Sequence, residues 1–521
     1  MGLHITAIRK FLNDHPKVKE DNLTTSQINS EYIKPETAGT GQAYIHQYQG
    51  IRDDISGAPL VSSATVFVSH AWRYAFYDVV VDVMEQHVRE DPDAYFWLDL
   101  FTNNQNEVAN KDFDWFSQTF RDCIRDIGQV LLVLSPWYEP IPICRAWCLF
   151  EIHNSIEEPD VSLSIRLPLS EVDDLREGVI EDQRCIINAL SDIQAEEAEA
   201  KTESDRDMIF EVIKKTDGGF FNLNKQVKEE LRNWYINQLR DLIEQGDTNP
   251  ELVIHTANIM MDFDLHDEAL QYYINLLDTE SRKSEQDQDF MINIYMGMAN
   301  LYSDMGDHEK ALQLHQECLE IQLCFYSDDH IEVAKTYHNI ATVYDCMGNR
   351  EKALQLYNRA LPIRLRELGE HHLEVADLYF NIAGVHQENG ELDKALELLT
   401  KTITIRSEAL GEHHSEVAYC YNNLARLQLD LGDLEKALEY NYKCLNIVRV
   451  TFGDDHSRVS EPYANLGQIY RAKGELNKSV DCFKKSLSIR LKAYGETDPI
   501  VNDTYLDLAK TYEQQGDLEQ V

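Results

Sequence analysis

Apolar positions follow two rhythms along this chain. Short runs of β-branched and aromatic residues at 64–69, 95–100, 128–135 and 161–167 read as buried strands, the last stopped by Pro168. Between them, 74–88, 115–127 and 145–156 carry apolar residues at helical spacing. Strands alternating with helices predict a parallel α/β sheet over residues 61–170, with helices on both faces. Such sheets collect ligands at the carboxyl ends of their strands, which here carry Ser69 and His70, Asp99, and Ser135. Upstream, Leu3, Ile8, Phe11 and Leu12 predict a short amphipathic helix. The rest of 1–60 is polar, with Pro35, Gly39, Gly41 and Gly57, and reads as an irregular lead-in. Downstream, 171–248 is rich in acids and leucine and free of proline, and predicts a helical connector broken at Gly218-Gly219. Asn222 or Asn224 is the expected N-cap of its last helix.

From residue 291 the rhythm becomes a ladder. Gly306, Gly348, Gly390, Gly432, Gly474 and Gly516 are each 42 residues apart. Ala311, Ala353, Ala395, Ala437 and Ser479 keep the same spacing, as do Asn339, Asn381, Asn423 and Asn465. A fixed period of this length means stacked two-helix units rather than one globular core. The first helix of each unit is expected to end at a left-handed glycine. The second ends at Gly369, Gly411, Gly453 or Gly495. A degenerate unit covers 249–290. The array proper spans 291–521 and reaches Val521 one helix short of a full unit, leaving a face for a further segment or a partner to cover.

Charge narrows the partners. With 48 basic and 91 acidic side chains the formal charge is −43, a field that repels nucleic acid and anionic lipid. The 10 cysteines are scattered without a CxxC pair, which reads as a reduced, cytoplasmic protein. No apolar run reaches the roughly 18 residues that a membrane helix needs. Gly2 and Thr6 match the short, common myristoylation pattern. No GxxxxGK[ST] loop occurs, so a nucleotide-driven switch between the two halves is not supported.

The most distinctive chemistry lies in one loop and helix. Three prolines, Pro136, Pro140 and Pro142, fix an extended loop after the third strand. Beyond it, Trp147 and Glu151 share one helical face, with Cys148 beside them. Cys144, Cys148, Glu151 and His153 lack a second ligand pair at zinc spacing, so no metal site is assigned. Ser69 and His70 are adjacent, which is poor geometry for a nucleophile and its base.

Four segments together, Phe67-Val-Ser-His70, Trp97-Leu-Asp99, Val133-Leu-Ser135 and Arg145-Ala-Trp-Cys-Leu-Phe-Glu-Ile152, resemble the TIR (Toll/interleukin receptor) fold, a flavodoxin-like parallel sheet. The Trp-Cys-Leu-x-Glu-Ile element is similar to the matching helix of plant TIR domains. Some members of that family cleave NAD at its nicotinamide bond with the glutamate of this element. The resemblance implies Glu151 as catalytic residue, NAD as substrate with no tightly bound cofactor, and an NAD pocket at Ser69, His70, Trp72, Asp99, Ser135 and Trp147. Other TIR domains only self-associate. The run after Asp99, Leu-Phe-Thr-Asn-Asn-Gln105-Asn, lacks the family's usual glycine turn, and His70-Ala-Trp72 replaces its usual polar run.

The array resembles the tetratricopeptide repeat (TPR), an all-α superhelical solenoid, with units longer than the usual 34 residues. The tails Leu368-Gly-Glu-His-His-Leu-Glu-Val-Ala376 and Leu410-Gly-Glu-His-His-Ser-Glu-Val-Ala418 are similar to those of kinesin light chains, which bind cargo peptides in the groove. This implies a protein or peptide partner contacted by Asn339, Asn381, Asn423 and Asn465. The same amides would otherwise bridge adjacent helices. The recurring His330, His372, His414 and His456, with Asp498 in the fifth unit, read as helix caps rather than metal ligands. Two functions stand side by side. One is a signalling adaptor whose TIR-like domain acts by self-association and NAD hydrolysis. The other is a non-enzymatic cargo adaptor of kinesin light chain type.

Overall fold

The protein is described by a computed structural model covering residues 1–107, 113–191, 193, 195–200, 202–216, 219–247, 249–283, 287–452, 457–494 and 499–516. Gly218, Gly453, His456, Gly495 and Asp498, singled out above, lie outside these residues. The chain divides into two units, Met1–Tyr273 and Ile274–Val521.

The first unit is built on a six-stranded mixed sheet. Its strands are β1 (Gly2–His4), β2 (Val61–Ser62), β3 (Val66–Ser69), β4 (Tyr95–Trp97), β5 (Gln129–Val133) and β6 (Ser162–Arg166), in the order β2-β1-β4-β3-β5-β6. The four strands read from the sequence pair in parallel, with Val66 opposite Phe96, Phe67 opposite Val130 and Leu132 opposite Ile165. Val66, Phe67, Phe96 and Val130 through Val133 are buried, as a parallel sheet covered on both faces requires.

Residues 1–60 differ from the irregular lead-in that their polarity suggests. Gly2–His4 enters the sheet antiparallel to both β2 and β4, and the helix Ile5–Asp14 follows. Short helical turns at Lys17–Glu20, Thr25–Ile28, Asn29–Ile33, Lys34–Thr37 and Tyr44–Tyr48 complete the segment. Leu3, Phe11, Val18, Ile28 and Ile33 join the same core as Val66, Phe96 and Leu131. Isolated apolar residues on one-turn helices carry no readable period, which is why the sequence reads as loop. Gly2 is itself buried. A Cβ there would lie 2.8 Å from the Ala64 Cα, so the residue a myristoyl group would modify is packed into the sheet.

The connector consists of helices Leu169–Glu181, Cys185–Ser191, Glu203–Lys215 and Gly219–Glu244. The last begins at Gly219, so neither Asn222 nor Asn224 is its N-cap. Instead Asn224 Oδ1 accepts from the Ala195 amide and its Nδ2 donates to Glu196. Tyr235 on this helix bonds the Trp137 carbonyl, and Glu171 accepts from the Trp137 amide at 3.0 Å. These two bonds tie the proline loop to the connector.

In the second unit each repeat is a helix pair, such as Ile331–Cys346 with Arg350–Leu368 and Leu373–Glu388 with Leu392–Leu410. Gly432 and Gly474 close their helices at φ +80°, where a side chain is strained. Ala311, Ala353, Ala395 and Ala437 are fully buried, the close approach that their small size allows. His330, His372 and His414 cap the next helix through Nδ1, each accepting a backbone N–H at 3.2 Å.

Candidate functional site

The parallel strands of the first unit end around a cavity of about 950 Å³. Its lining includes His70 and Trp72 beyond β3, Asp99 beyond β4, and Trp147, Cys148 and Glu151 on the helix Ala146–Glu157. Trp97 and Phe120 add an aromatic wall. Trp97 stacks on Phe67 at 4.6 Å, and Phe120 lies 5.7 Å from Trp147.

Glu151 is 8 % exposed, and its carboxylate accepts a 2.5 Å hydrogen bond from the Ser69 hydroxyl. Burial pushes its pKa up to about 8. The Ser69 bond opposes that rise and the charge of Asp99 adds to it. Asp99 accepts from the Trp72 indole N–H at 2.8 Å and from the Leu100 amide at 2.7 Å, yet burial still raises it to about 6. His70 is 6 % exposed, burial lowers it to about 4, and its Nε2 has no partner among the described residues. Two carboxyls and a neutral imidazole thus share one aromatic cleft, and among the described residues no cation is bonded to either acid.

The structure brings Ser69, His70, Trp72, Asp99, Trp147 and Glu151 together, and leaves Ser135 apart. Ser135 Oγ bonds Glu171, and its carbonyl accepts from the Tyr74 hydroxyl at 2.5 Å, so it secures the proline loop instead of facing the cavity. Sequence reasoning missed that residues outside 61–170 also line the cavity: Thr24, Asn29 and Lys34 from before it, and Glu199, Thr202 and Asp205 from after it. Backbone bonds from Thr25 to Tyr74 and from Ser26 to Trp72 lock the first group in place, and reciprocal bonds between Cys144–Ala146 and Glu199 lock the second. Among the described residues no group of three His, Cys, Asp or Glu could hold a metal.

Along the second unit the recurring asparagines do not act alike. Asn381 Nδ2 meets His338 Nε2 at 2.8 Å, and Asn465 donates to Asn422 at 2.7 Å, each reaching back 43 residues to the first helix of the preceding unit. Asn339 and Asn423 have Met296 and Phe380 at that distance, which cannot pair with an amide. Asn423 turns to the Tyr419 carbonyl of its own helix at 2.9 Å, and Asn339 makes no side-chain hydrogen bond among the described residues. Tyr419 is 50 % exposed and its ring lies 5.4 Å from Phe380 on the neighbouring first helix.

Comparison with known proteins assigns this unit. Residues 255–323, 290–366, 374–449, 428–492 and 458–521 match the tetratricopeptide repeat family. The second half of the chain is a tetratricopeptide repeat array. The match begins at 255, inside the stretch 249–290. Solved structures similar to parts of this chain include a Podosopora anserina structure of nearly identical TPR-like repeats. It is 21 % identical, covers 39 % of this chain and 96 % of its own, and has a TM-score of 0.35. BtubC (BKLC) from P. vanneervenii is 20 % identical over 51 % of this chain and 91 % of its own, with a TM-score of 0.30. The apo form of RapI is 16 % identical over 57 % and 89 %, with a TM-score of 0.40. No curated protein matches the chain. No described helix is long and apolar enough to cross a membrane.

Proposed function

We propose that this protein is a cytoplasmic signalling adaptor in which the TPR array holds a protein or peptide ligand and the N-terminal α/β unit is a TIR-like effector. That unit would act by self-association and by hydrolysing NAD through Glu151. One observation carries the enzymatic part. A carboxyl is kept in a buried aromatic cleft at a pKa near 8, with a serine hydroxyl instead of a cation as its partner. A purely structural glutamate has no reason to be left so costly, whereas perturbed groups in clefts mark reaction sites.

The chemistry follows from the substrate. In NAD the nicotinamide ring is cationic. Breaking the ribose C1′–N bond returns the electron pair to the ring, which leaves neutral and needs no acid. The ribose is left as an oxocarbenium ion, which a facing carboxylate stabilises. Glu151 takes that role, and the cationic substrate favours its ionised form on binding. Water then adds to C1′ and releases a proton, giving ADP-ribose. Trp147 and Trp72 offer flat faces for the leaving ring.

In the array, Asn339 and Asn423, with the Phe380–Tyr419 pair, are the ligand contacts. Asn381 and Asn465 hold neighbouring repeats together. The competing reading, a non-enzymatic cargo adaptor of kinesin light chain type, draws on the repeats alone.

Incubating the full chain with NAD, while forcing it to associate, and following nicotinamide release decides between them. Release that Glu151→Ala abolishes is expected. No release above blank, or equal release by the variant, overturns the enzymatic reading. For the array, Asn339→Ala with Asn423→Ala should weaken a peptide selected on the wild-type chain more than Asn381→Ala with Asn465→Ala does.

A further inference from the structure

We propose that Lys34 and Arg73 form an anion subsite at the mouth of the Glu151 cavity, which selects a phosphate-bearing ribosyl substrate over a bare nucleoside. This rests on reading the cavity as a ribosyl-cleaving site.

Both side chains line the cavity and both are exposed. Lys34 and Arg73 have no carboxylate in bonding range among the described residues, and neither side chain makes another polar contact there. Other exposed bases, Lys17 and Arg89 among them, also lack a carboxylate partner among the described residues, so what sets these two apart is their place on the cavity lining. Arg145, the third base of the lining, faces Glu199 at 4.0 Å and is already engaged.

Their placement is fixed by the backbone. The Thr25 amide donates to the Tyr74 carbonyl at 3.1 Å, and the Phe76 amide to the Leu23 carbonyl at 2.9 Å, so the segment carrying Arg73 is tied to residues 23–25, which lead into the turns that carry Lys34. Asn106 Nδ2 donates to the Lys34 carbonyl at 3.2 Å and to Thr37 Oγ1 at 2.8 Å, anchoring the turn from the far side.

The cavity therefore has polarity along its depth. Asp99 and Glu151 suit a ribose that develops positive charge. Lys34 and Arg73 suit phosphate oxygens, with a planar fork from Arg73 and a point charge from Lys34, while the lining carboxylates Glu199 and Asp205 come from the connector, Glu199 beside Arg145. His70 lines the same cavity with an unpartnered Nε2, a further polar group for a ligand to satisfy. A bare nucleoside would use the floor and leave the mouth empty. Lys34 comes from residues 1–60, so this selectivity is supplied in part from outside the TIR-like stretch.

The test uses the full chain carrying Glu151→Gln, so that nothing turns over, and calorimetric titration with ADP-ribose and with nicotinamide riboside. Adding Lys34→Ala and Arg73→Ala should weaken ADP-ribose about tenfold, about threefold for each exposed, solvent-screened cation, and the riboside less than about twofold. Lys34→Glu with Arg73→Glu should weaken ADP-ribose further, and Lys34→Arg with Arg73→Lys should keep most of it. Raising salt should weaken ADP-ribose in the parent but much less in the alanine variant. Equal weakening of both probes, or unchanged ADP-ribose affinity in the charge-reversed chain, overturns the subsite. Binding of neither probe by the parent overturns it together with the ribosyl reading. Selective ADP-ribose binding, by a chain that releases no nicotinamide when Glu151 is restored, upholds the subsite and sinks only the catalysis.

Discussion

Replacing Glu151 by glutamine should stabilise the first unit, by an amount that depends on pH. The side chain keeps its size and a polar contact with Ser69 but loses its charge. In the folded chain the Glu151 pKa is about 8, against 4.5 for an ordinary glutamate. Between those values the unfolded chain has released the proton and the folded chain still holds it, so folding stability falls as pH rises through that window. At about 1.4 kcal/mol per pH unit, the carboxyl costs on the order of 3 kcal/mol at pH 7. The glutamine variant escapes this cost. Its advantage should be absent below pH 4.5, grow steadily above it, and level off near pH 8. The assay is urea unfolding followed by tryptophan fluorescence. All 6 tryptophans, Trp72, Trp97, Trp115, Trp137, Trp147 and Trp234, lie in the first unit, so the array is silent. A variant that is less stable at pH 7, or a difference that is flat from pH 5 to 8, would falsify the view that Glu151 is retained at a cost to stability.

If the carboxylate is the working form, nicotinamide release at low NAD should climb as pH rises toward 8, because the empty site holds Glu151 protonated below that value; a rate that falls over this range contradicts the role. In the array, Asn441 is fully buried with neither amide atom hydrogen-bonded among the described residues, where the neighbouring repeats place Tyr357, Leu399 and Phe483. Asn441→Leu should therefore stabilise its repeat by about 1–2 kcal/mol, read as slower amide exchange in helix Leu434–Phe452. Gly467 stands where other repeats have alanine, and a Cβ there would lie 2.7 Å from the Phe483 ring. Gly467→Ala should cost about 1–3 kcal/mol in thermal unfolding, and Phe483→Leu in the same chain should recover much of it.

Periodicity and burial explain what the sequence made legible. Strands β3, β4 and β5 announce themselves because both their faces are buried, which forces apolar runs, whereas β6, where only Ile165 is buried, shows as Leu163 and Ile165 alternating with polar residues. The repeats do so because each unit must present the same face to the next. Strand β1 is only Gly2–His4. Its state is set by neighbours β2 and β4, 58 or more residues away in sequence, and no local pattern encodes that. The asparagine ladder is instructive in another way. Four identical letters at one spacing read as one role, yet the roles split according to the residue 43 positions earlier. His338 and Asn422 can accept or donate, and Met296 and Phe380 cannot. That split was readable in the sequence once the inter-repeat partner was considered. The placement of Lys34 and Arg73 was not, since single exposed cations follow no period.

The boundary of the working module follows from the same facts. The stretch that resembles a TIR domain, 61–170, contributes the acids and the aromatic wall of the cavity but not its whole lining. Lys34 and Asn29 come from before it, and Glu199, Thr202 and Asp205 from after it. The apolar side of that stretch is no more self-sufficient, because Leu3, Ile5, Phe11, Ile28 and Ile33 fill the core beneath its strands. The parts that look like lead-in and connector are therefore structural and lining elements of one unit. The cavity around Glu151 is lined by residues from Thr24 to Asp205, well beyond 61–170. The ties from the connector to the proline loop, Tyr235 to the Trp137 carbonyl and Glu171 to its amide, give those helices a direct hold on the segment that leads into the Glu151 helix.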